Sequence, residues 1–366
     1  MTRSVEAVLL VLALVLAAPA TAPAQTPAET PSFKADPAWP KPLPNNWAIG
    51  QVAGVAVDAR DHVWILHRPA TLGPGRGSNP APPKPGVPAP PVIEFDASGT
   101  LLQAWGGPGA GYEWPTNEHG LSIDDKGNVW VTGGGAKDAQ VLKFTRDGKF
   151  LLQIGKQGQV RGNDDTTGLE RPTGAVVDPK TNEVYITESE VGGTHRRVIV
   201  FDADSGTYKR HWGGYGDKPI DGPAVQYDPN APISRQFGTS THCVRISRDD
   251  LVYVCDRSNN RIQVFKKDGT FVKEGFVERQ TLGLGAIWDL ELSPDERFVY
   301  VGDGTNNKIW ILQRDSLAVV SSFAGPGSDP GQLSGVNALA VDSKGNLYAA
   351  EAANGMRVQK FAASPR

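Results

Sequence analysis

Apolar and polar positions alternate along this chain in short bursts, and the bursts recur as one phrase. In His119-Gly120-Leu121-Ser122-Ile123-Asp124-Asp125-Lys126-Gly127-Asn128-Val129-Trp130-Val131-Thr132 a short strand, a tight turn and a second strand follow one another. Period-two alternation bounded by turn residues is the strand and hairpin signature. Six stretches align on the end of that first strand: Gly54–Asp58, Gly120–Asp124, Gly174–Asp178, Cys243–Ser247, Asp289–Ser293 and Ala338–Asp342. Asp or Ser then opens a turn in which Gly or Asn tolerates the left-handed position. A second strand carries an aromatic at a fixed place: Trp64, Trp130, Tyr185, Tyr253, Tyr300 and Tyr348. A third strand follows, as in Val141–Phe144 or Ile262–Phe265, and a fourth closes five of the units, as in Leu151–Ile154. Four short antiparallel strands per repeated unit predict an all-β, six-bladed β-propeller over residues 48–366. The sixth unit ends at Arg366 soon after its third strand. The segment 25–47, through Phe33-Lys34-Ala35, is therefore expected to supply the missing strand and close the ring.

Composition agrees with a turn-rich β chain: 366 residues hold 42 Gly and 29 Pro but only 2 Met. The net charge of -3, with 21% charged residues and no polybasic run, excludes an evident nucleic-acid partner. Residues 1–24 read as a signal peptide, with an apolar run from Val8 to Ala18 and small residues at Ala20, Ala22 and Ala24. That run is too short to span a membrane, and no other approaches the length. The expectation is an exported monomer, periplasmic or extracellular, without a membrane span. Two Pro/Gly-rich or polar insertions, Pro69–Pro91 and Ile220–Arg235, read as loops without a motif. Cys243 and Cys255 are equidistant from the turn at Asp249, so they should face each other across two strands. Export permits a disulfide there; two small buried apolar side chains are the alternative.

In a propeller the first strand of each blade lines the central tunnel. Counting back five residues from each turn-opening residue gives Ala53, His119, Thr173, His242, Trp288 and Asn337, an expected ring at the tunnel mouth. His119, His242 and Asn337 come from alternate blades, and two convergent imidazoles make half of a metal site with positions open for water or substrate. Loop hydrogen bonding is the plainer role for these side chains. A second ring follows at the end of the second strand: His67, Gly133, Glu188, Asp256, Asp303 and Glu351. Its carboxylates are expected to accept backbone N–H groups from neighbouring loops. One residue further on stand Arg68 and Arg257, suited either to a carboxylate-bearing ligand or to ion pairs with that acidic ring.

The repeats resemble NHL repeats, on Asp-x-x-Gly-Asn-Val/Leu-Tyr/Trp-Val and on Asn259-Asn260-Arg261-Ile262-Gln263-Val264-Phe265. More narrowly the chain resembles the peptidyl-α-hydroxyglycine α-amidating lyase family, including its bacterial exported relatives. The resemblance rests on Gly50–Asp58 with His67-Arg68, on His119–Asp124, and on His242 with Cys255–Gln263. It implies zinc held by His119 and His242, with Arg68 and Arg257 in the active site. It also implies cleavage of a carbinolamide C–N bond to give a peptide amide and glyoxylate. The family's third zinc histidine falls at Asn337, and its Asp that helps hold a structural calcium falls at Ala338. The family Tyr after the second strand of the third blade has no counterpart in Glu188–His195. The resemblance thus implies a metal-dependent lyase acting on a small carboxylate-bearing or peptide-like ligand, with zinc and possibly calcium as cofactors. The alternative is a non-catalytic propeller that binds a ligand or protein partner. A lactonase-like calcium propeller would need a carboxylate-lined metal site in place of His and Asn.

Overall fold

The computed structural model describes residues 29–73, 86–222 and 224–364, so the expected signal peptide lies outside the described residues. Six four-stranded antiparallel sheets follow one another round a ring. Their innermost strands are Gln51–Val57, Glu118–Ile123, Gly174–Asp178, Thr241–Ile246, Asp289–Leu292 and Val336–Val341. The sixth sheet takes its outermost strand from the other end of the chain: Phe33–Asp36 pairs with Arg357–Ala363, Phe33 opposite Ala363 and Asp36 opposite Lys360. The ring is therefore closed by the two ends of the chain, as the repeat count requires.

The recurring phrase has a local cause. In the second blade Asp124 accepts the N–H groups of Lys126 (3.0 Å) and Asn128 (2.7 Å) on one carboxylate oxygen. The other oxygen accepts the Asn128 amide (2.9 Å) and the Trp130 indole N–H (3.1 Å). Gly127, at φ 79°, supplies the left-handed residue of that turn. Asp342 repeats the scheme with Lys344, Asn346 and the Tyr348 hydroxyl, which donates to it over 3.0 Å. One carboxylate thus fixes the turn and the rotamer of the repeating aromatic.

Those aromatics are buried, and they pack between blades. Trp64 lies with Val129 and Val131, Trp130 with Ala175 and Val184, Tyr185 with Val244 and Val252. Tyr253 lies with Leu290 and Val299, Tyr300 with Leu339 and Leu347, and Tyr348 with Val55 and Val63. The seam between the last and first blades also takes in Trp39, whose ring sits 4.9 Å from that of Tyr348. Cys243 and Cys255 are directly opposed across the inner pair of the fourth blade and form a disulfide with Cα atoms 4.9 Å apart. Of the two insertions, the first carries a short strand, Val87–Pro88, parallel to Trp47–Ala48.

Candidate active site

A kink in the inner strands aims the ring residues. The ladder between inner and second strand slips at Ala53, at His119-Gly120, at His242 and at Asn337. Each slip is a β-bulge, which frees a residue from the ladder and redirects its side chain. His119 and His242 thereby turn toward each other, with ring centroids 4.7 Å apart at an interplanar angle of 69°. Close approach of neighbouring strands is needed as well. A methyl at Gly120 would lie 2.4 Å from the Thr173 carbonyl oxygen, the atom that the His119 ring must reach. Ala53, His119, Thr173, His242 and Asn337 all line one cavity in the tunnel. The Asn337 amide donates to the Ala53 carbonyl over 2.6 Å.

Backbone carbonyls fix both imidazole tautomers. His119 Nδ1 faces Thr173 O at 3.0 Å, and His242 Nδ1 is hydrogen-bonded to Trp288 O. A carbonyl only accepts, so each Nδ1 carries a proton, and it is Nε2 that a neutral ring would present as a lone pair. Both Nε2 atoms point at Glu190, a residue that periodicity did not mark. Its Oε2 lies 3.2 Å from His119 Nε2 and 3.5 Å from His242 Nε2. Ser189, in the left-handed region at φ 73°, swings the chain round so that Glu188 and Glu190 face different ways. Gly134 leaves room beneath: a Cβ there would meet His119 Cδ2 at 2.9 Å and Glu190 Cγ at 3.1 Å.

One of the two arginines, Arg257, stands on the same carboxylate. Arg257 places Nη1 and Nη2 each 3.5 Å from Glu190 Oε1 and stacks 4.4 Å over the Trp288 ring. Arg68 donates through Nε to Glu118 O (2.7 Å) and through Nη1 to Gln51 Oε1 (3.1 Å). Burial lowers the pKa of each guanidinium from its ordinary value, and the Glu190 charge opposes that shift in both. For Glu190 itself burial works toward protonation, but Arg257 and the two imidazoles outweigh it and hold the carboxyl well below its usual range. Burial, then Arg257 and His119, push His242 well below the ordinary imidazole value. The site is thus a buried anion beside the Arg257 guanidinium, faced by two imidazole Nε2 atoms. Such a donor set fits a transition metal, each ligating ring being oriented by an N–H···O=C bond on its far side.

The second ring is structural. Glu188 accepts Glu170 N–H (2.6 Å), Asp256 accepts Gly238 N–H (2.8 Å), Asp303 accepts Asn306 N–H (2.9 Å) and Glu351 accepts Ser334 N–H (2.8 Å). Where the slot holds Gly133, Asp138 reaches in and accepts Thr116 and Gly135 N–H groups, both at 2.8 Å. Where it holds His67, Nδ1 accepts Gly50 N–H (3.2 Å). Arg257 pairs outside this ring, with Glu190.

His195 belongs to the scaffold rather than the mouth. Its Nδ1 faces Glu188 Oε1 (3.0 Å), its Nε2 faces the Arg161 carbonyl, and Glu188 also binds Arg197, all three side chains being fully buried. Glu188 and the Arg161 carbonyl are acceptors that suit the imidazolium, while Arg197 Nη2, 3.3 Å from Nδ1, opposes it. Burial opposes that charge, but Glu188 outweighs burial and raises the pKa above the ordinary value. The stabilisation is therefore complete below the unfolded pKa of about 6.5 and is lost as pH rises through the higher folded value. The melting temperature of wild type is expected to fall between about pH 6 and pH 9, and His195→Gln to remove most of that slope. Parallel slopes in the two proteins would show that His195 does not carry the charge.

The NHL repeat profile matches residues 242–265, the stretch that holds His242, the disulfide and Arg257. The chain is 28% identical over 240 residues to peptidylglycine alpha-amidating monooxygenase of Rattus norvegicus, covering 62% of this chain and 22% of that one. It is 27% identical over 243 residues to NHL repeat-containing protein 3 of Mus musculus, covering 64% and 57%. The chain thus spans about a fifth of the length of the monooxygenase it matches. Among solved structures, a structural genomics protein of unknown function from Bacteroides thetaiotaomicron superposes with a TM-score of 0.55 at 13% identity, covering 87% of this chain and 70% of that one. At that identity the likeness concerns the fold alone.

Proposed function

We propose that this six-bladed propeller of NHL-type repeats, similar in sequence to peptidylglycine alpha-amidating monooxygenase, is an exported metal-dependent carbon–nitrogen lyase of the amidating-lyase type. The observation that carries the reading is the convergence of His119 Nε2 and His242 Nε2 on one buried point, flanked by Arg257 and Arg68. The substrate is a peptide ending in α-hydroxyglycine, and Arg68 and Arg257 hold its carboxylate at the tunnel mouth. In the reaction the carbinol O–H loses its proton, a C=O bond forms, the C–N bond breaks, and the amide nitrogen takes up a proton. The products are a peptide amide and glyoxylate. A zinc ion bound by His119 and His242, with Asn337 at the same cavity, supplies Lewis-acid polarisation of the substrate oxygen when present. The protein would orient the carbinol against that centre and holds both imidazoles through the Thr173 and Trp288 carbonyls.

The proposal is for the imidazole centre rather than for calcium. Ala338 brings no side-chain oxygen, and the Arg245 guanidinium lines the same cavity, 3.0 Å from Asp289 and 2.9 Å from Glu291. Export accords with the apolar leader and with the Cys243–Cys255 disulfide. Among the described residues no helix is long and apolar enough to cross a membrane. The test is glyoxylate release from a peptidyl-α-hydroxyglycine by zinc-loaded protein. Release faster than the zinc-only control supports the reading. No release at high protein concentration sinks it, and leaves a binding propeller in which the arginines hold a carboxylate without turnover.

A further inference from the structure

Two imidazoles make an incomplete metal centre, and the sequence offers only the Asn337 amide as a third donor. We propose that Glu190 is the third protein ligand, giving a two-histidine, one-carboxylate centre, with Arg257 as the positioning residue for that carboxylate. This rests on the reading that His119 and His242 hold a metal, and it changes the chemistry of that centre.

The hydrogen-bond arrangement is the first ground. With both Nδ1 protons committed to the Thr173 and Trp288 carbonyls, two lone pairs face Oε2 of Glu190. In the neutral rings these are three acceptors aimed at one point, which repel unless a metal ion or a further proton lies between them. His242 Nε2 is buried and makes no hydrogen bond, so the polar atom aimed most directly into the site has no conventional partner among the described residues. Distance is the second ground. A charge-assisted N–H···O bond would be about 2.7–2.9 Å. Observed separations are 3.2 and 3.5 Å. Donors bonded to one tetrahedral zinc at about 2.0–2.1 Å stand about 3.4 Å apart along each edge, and the two carboxylate–imidazole separations lie close to that value. The three ligand atoms all lie within 4.8 Å of one another.

Construction of the pocket is the third ground. Glu190 reaches the imidazoles because Ser189 turns the chain and because Gly134 leaves the space its side chain occupies. Its outer oxygen is held by both Nη atoms of Arg257, and Arg257 is itself fixed against Trp288. A ligand carboxylate tied on its far side by a cation is the usual way such a ligand is oriented. Asn337 meanwhile donates its amide hydrogen to Ala53 in the neighbouring blade. A carboxylate ligand lowers the net charge of a zinc centre by one relative to an all-imidazole set. With three protein ligands, a fourth position would be left for the substrate's carbinol oxygen.

The test is metal affinity in the full mature chain, stripped with a chelator. Zinc binding is measured by competition with a chromophoric chelator, and the cobalt(II) visible spectrum reports the ligand set. Glu190→Gln is expected to weaken zinc by about 10²-fold and to shift the cobalt bands, with Asn337→Ala within about 3-fold of wild type. Glu190→Asp keeps the charge beside Arg257 and serves if Glu190→Gln does not fold; its expected loss is at least about 10-fold. Wild-type affinity and spectrum in the Glu190 variants, with binding lost in His119→Ala, would overturn the role of Glu190 and leave the histidine centre standing. Failure of the wild type to take up zinc or cobalt would overturn both.

Discussion

A mature chain cut back to residue 45 is expected to lose most of its stability and to associate through the edge it exposes. The cut removes Phe33–Asp36, the outermost strand of the last blade. It also removes Phe33, stacked 4.8 Å from Phe323 and edge-on to Tyr300 at 5.4 Å. Trp39 goes too, from the seam where it meets Phe95 and Tyr348. Loss of a buried Trp costs about 3–5 kcal/mol and loss of a partly buried Phe about 2 kcal/mol more. A native state worth about 5–15 kcal/mol cannot absorb that comfortably. Arg357–Ala363 would be left as an unpaired edge, which invites pairing with a second chain. Urea unfolding of the two forms, with sedimentation for size, checks both effects. A truncated protein that stays monomeric and unfolds at the same urea concentration would show that the ring does not depend on its N-terminal strand.

Replacement of either imidazole should be the most damaging single change to function. Zinc sites with a full ligand set hold about 10–16 kcal/mol, so one ligand of four is worth about 3–4 kcal/mol, or about 10²–10³-fold in affinity. His119→Ala and His242→Ala are each expected to lose metal by that factor and glyoxylate release with it. Their folds should persist, because the strand ladders and inter-blade seams do not run through the ring. Metal content after dialysis, circular dichroism and turnover on one preparation separate the two effects. A folded His242→Ala protein that keeps stoichiometric zinc and wild-type turnover would remove the histidine centre from consideration.

Much of the fold could be read from sequence because it is periodic. Asp124 and Asp342 bind their turns and aromatics in one way, so the phrase repeats and the blade count follows. The opposition of Cys243 and Cys255 was legible as a register, though not the bond itself. The mouth ring was legible for the same reason, since Ala53, His119, Thr173, His242 and Asn337 hold one slot and do line one cavity. What breaks the period was not legible. The bulges at His119 and His242, which aim the side chains, leave no mark in hydrophobic alternation. Glu190 follows a residue in the left-handed region and has no equivalent in other blades, so counting from the repeat could not reach it. Asp138 fills the place that Gly133 leaves empty from a position with no repeat partner.

The placement of the apolar side chains has a kinetic consequence. Each cluster of buried residues spans two neighbouring blades, so a single blade has little interior of its own. Blades must form in company, and the last seam can be filled only when the whole chain exists. The strand made first, Phe33–Asp36, waits for the strand made last, Arg357–Ala363. A contact spanning nearly the full length of the chain is slow to find, and the open ring exposes an apolar flank at each end meanwhile. Early blades therefore depend on being kept apart from other copies until Arg357–Ala363 has been made, and aggregation during refolding should rise steeply with protein concentration.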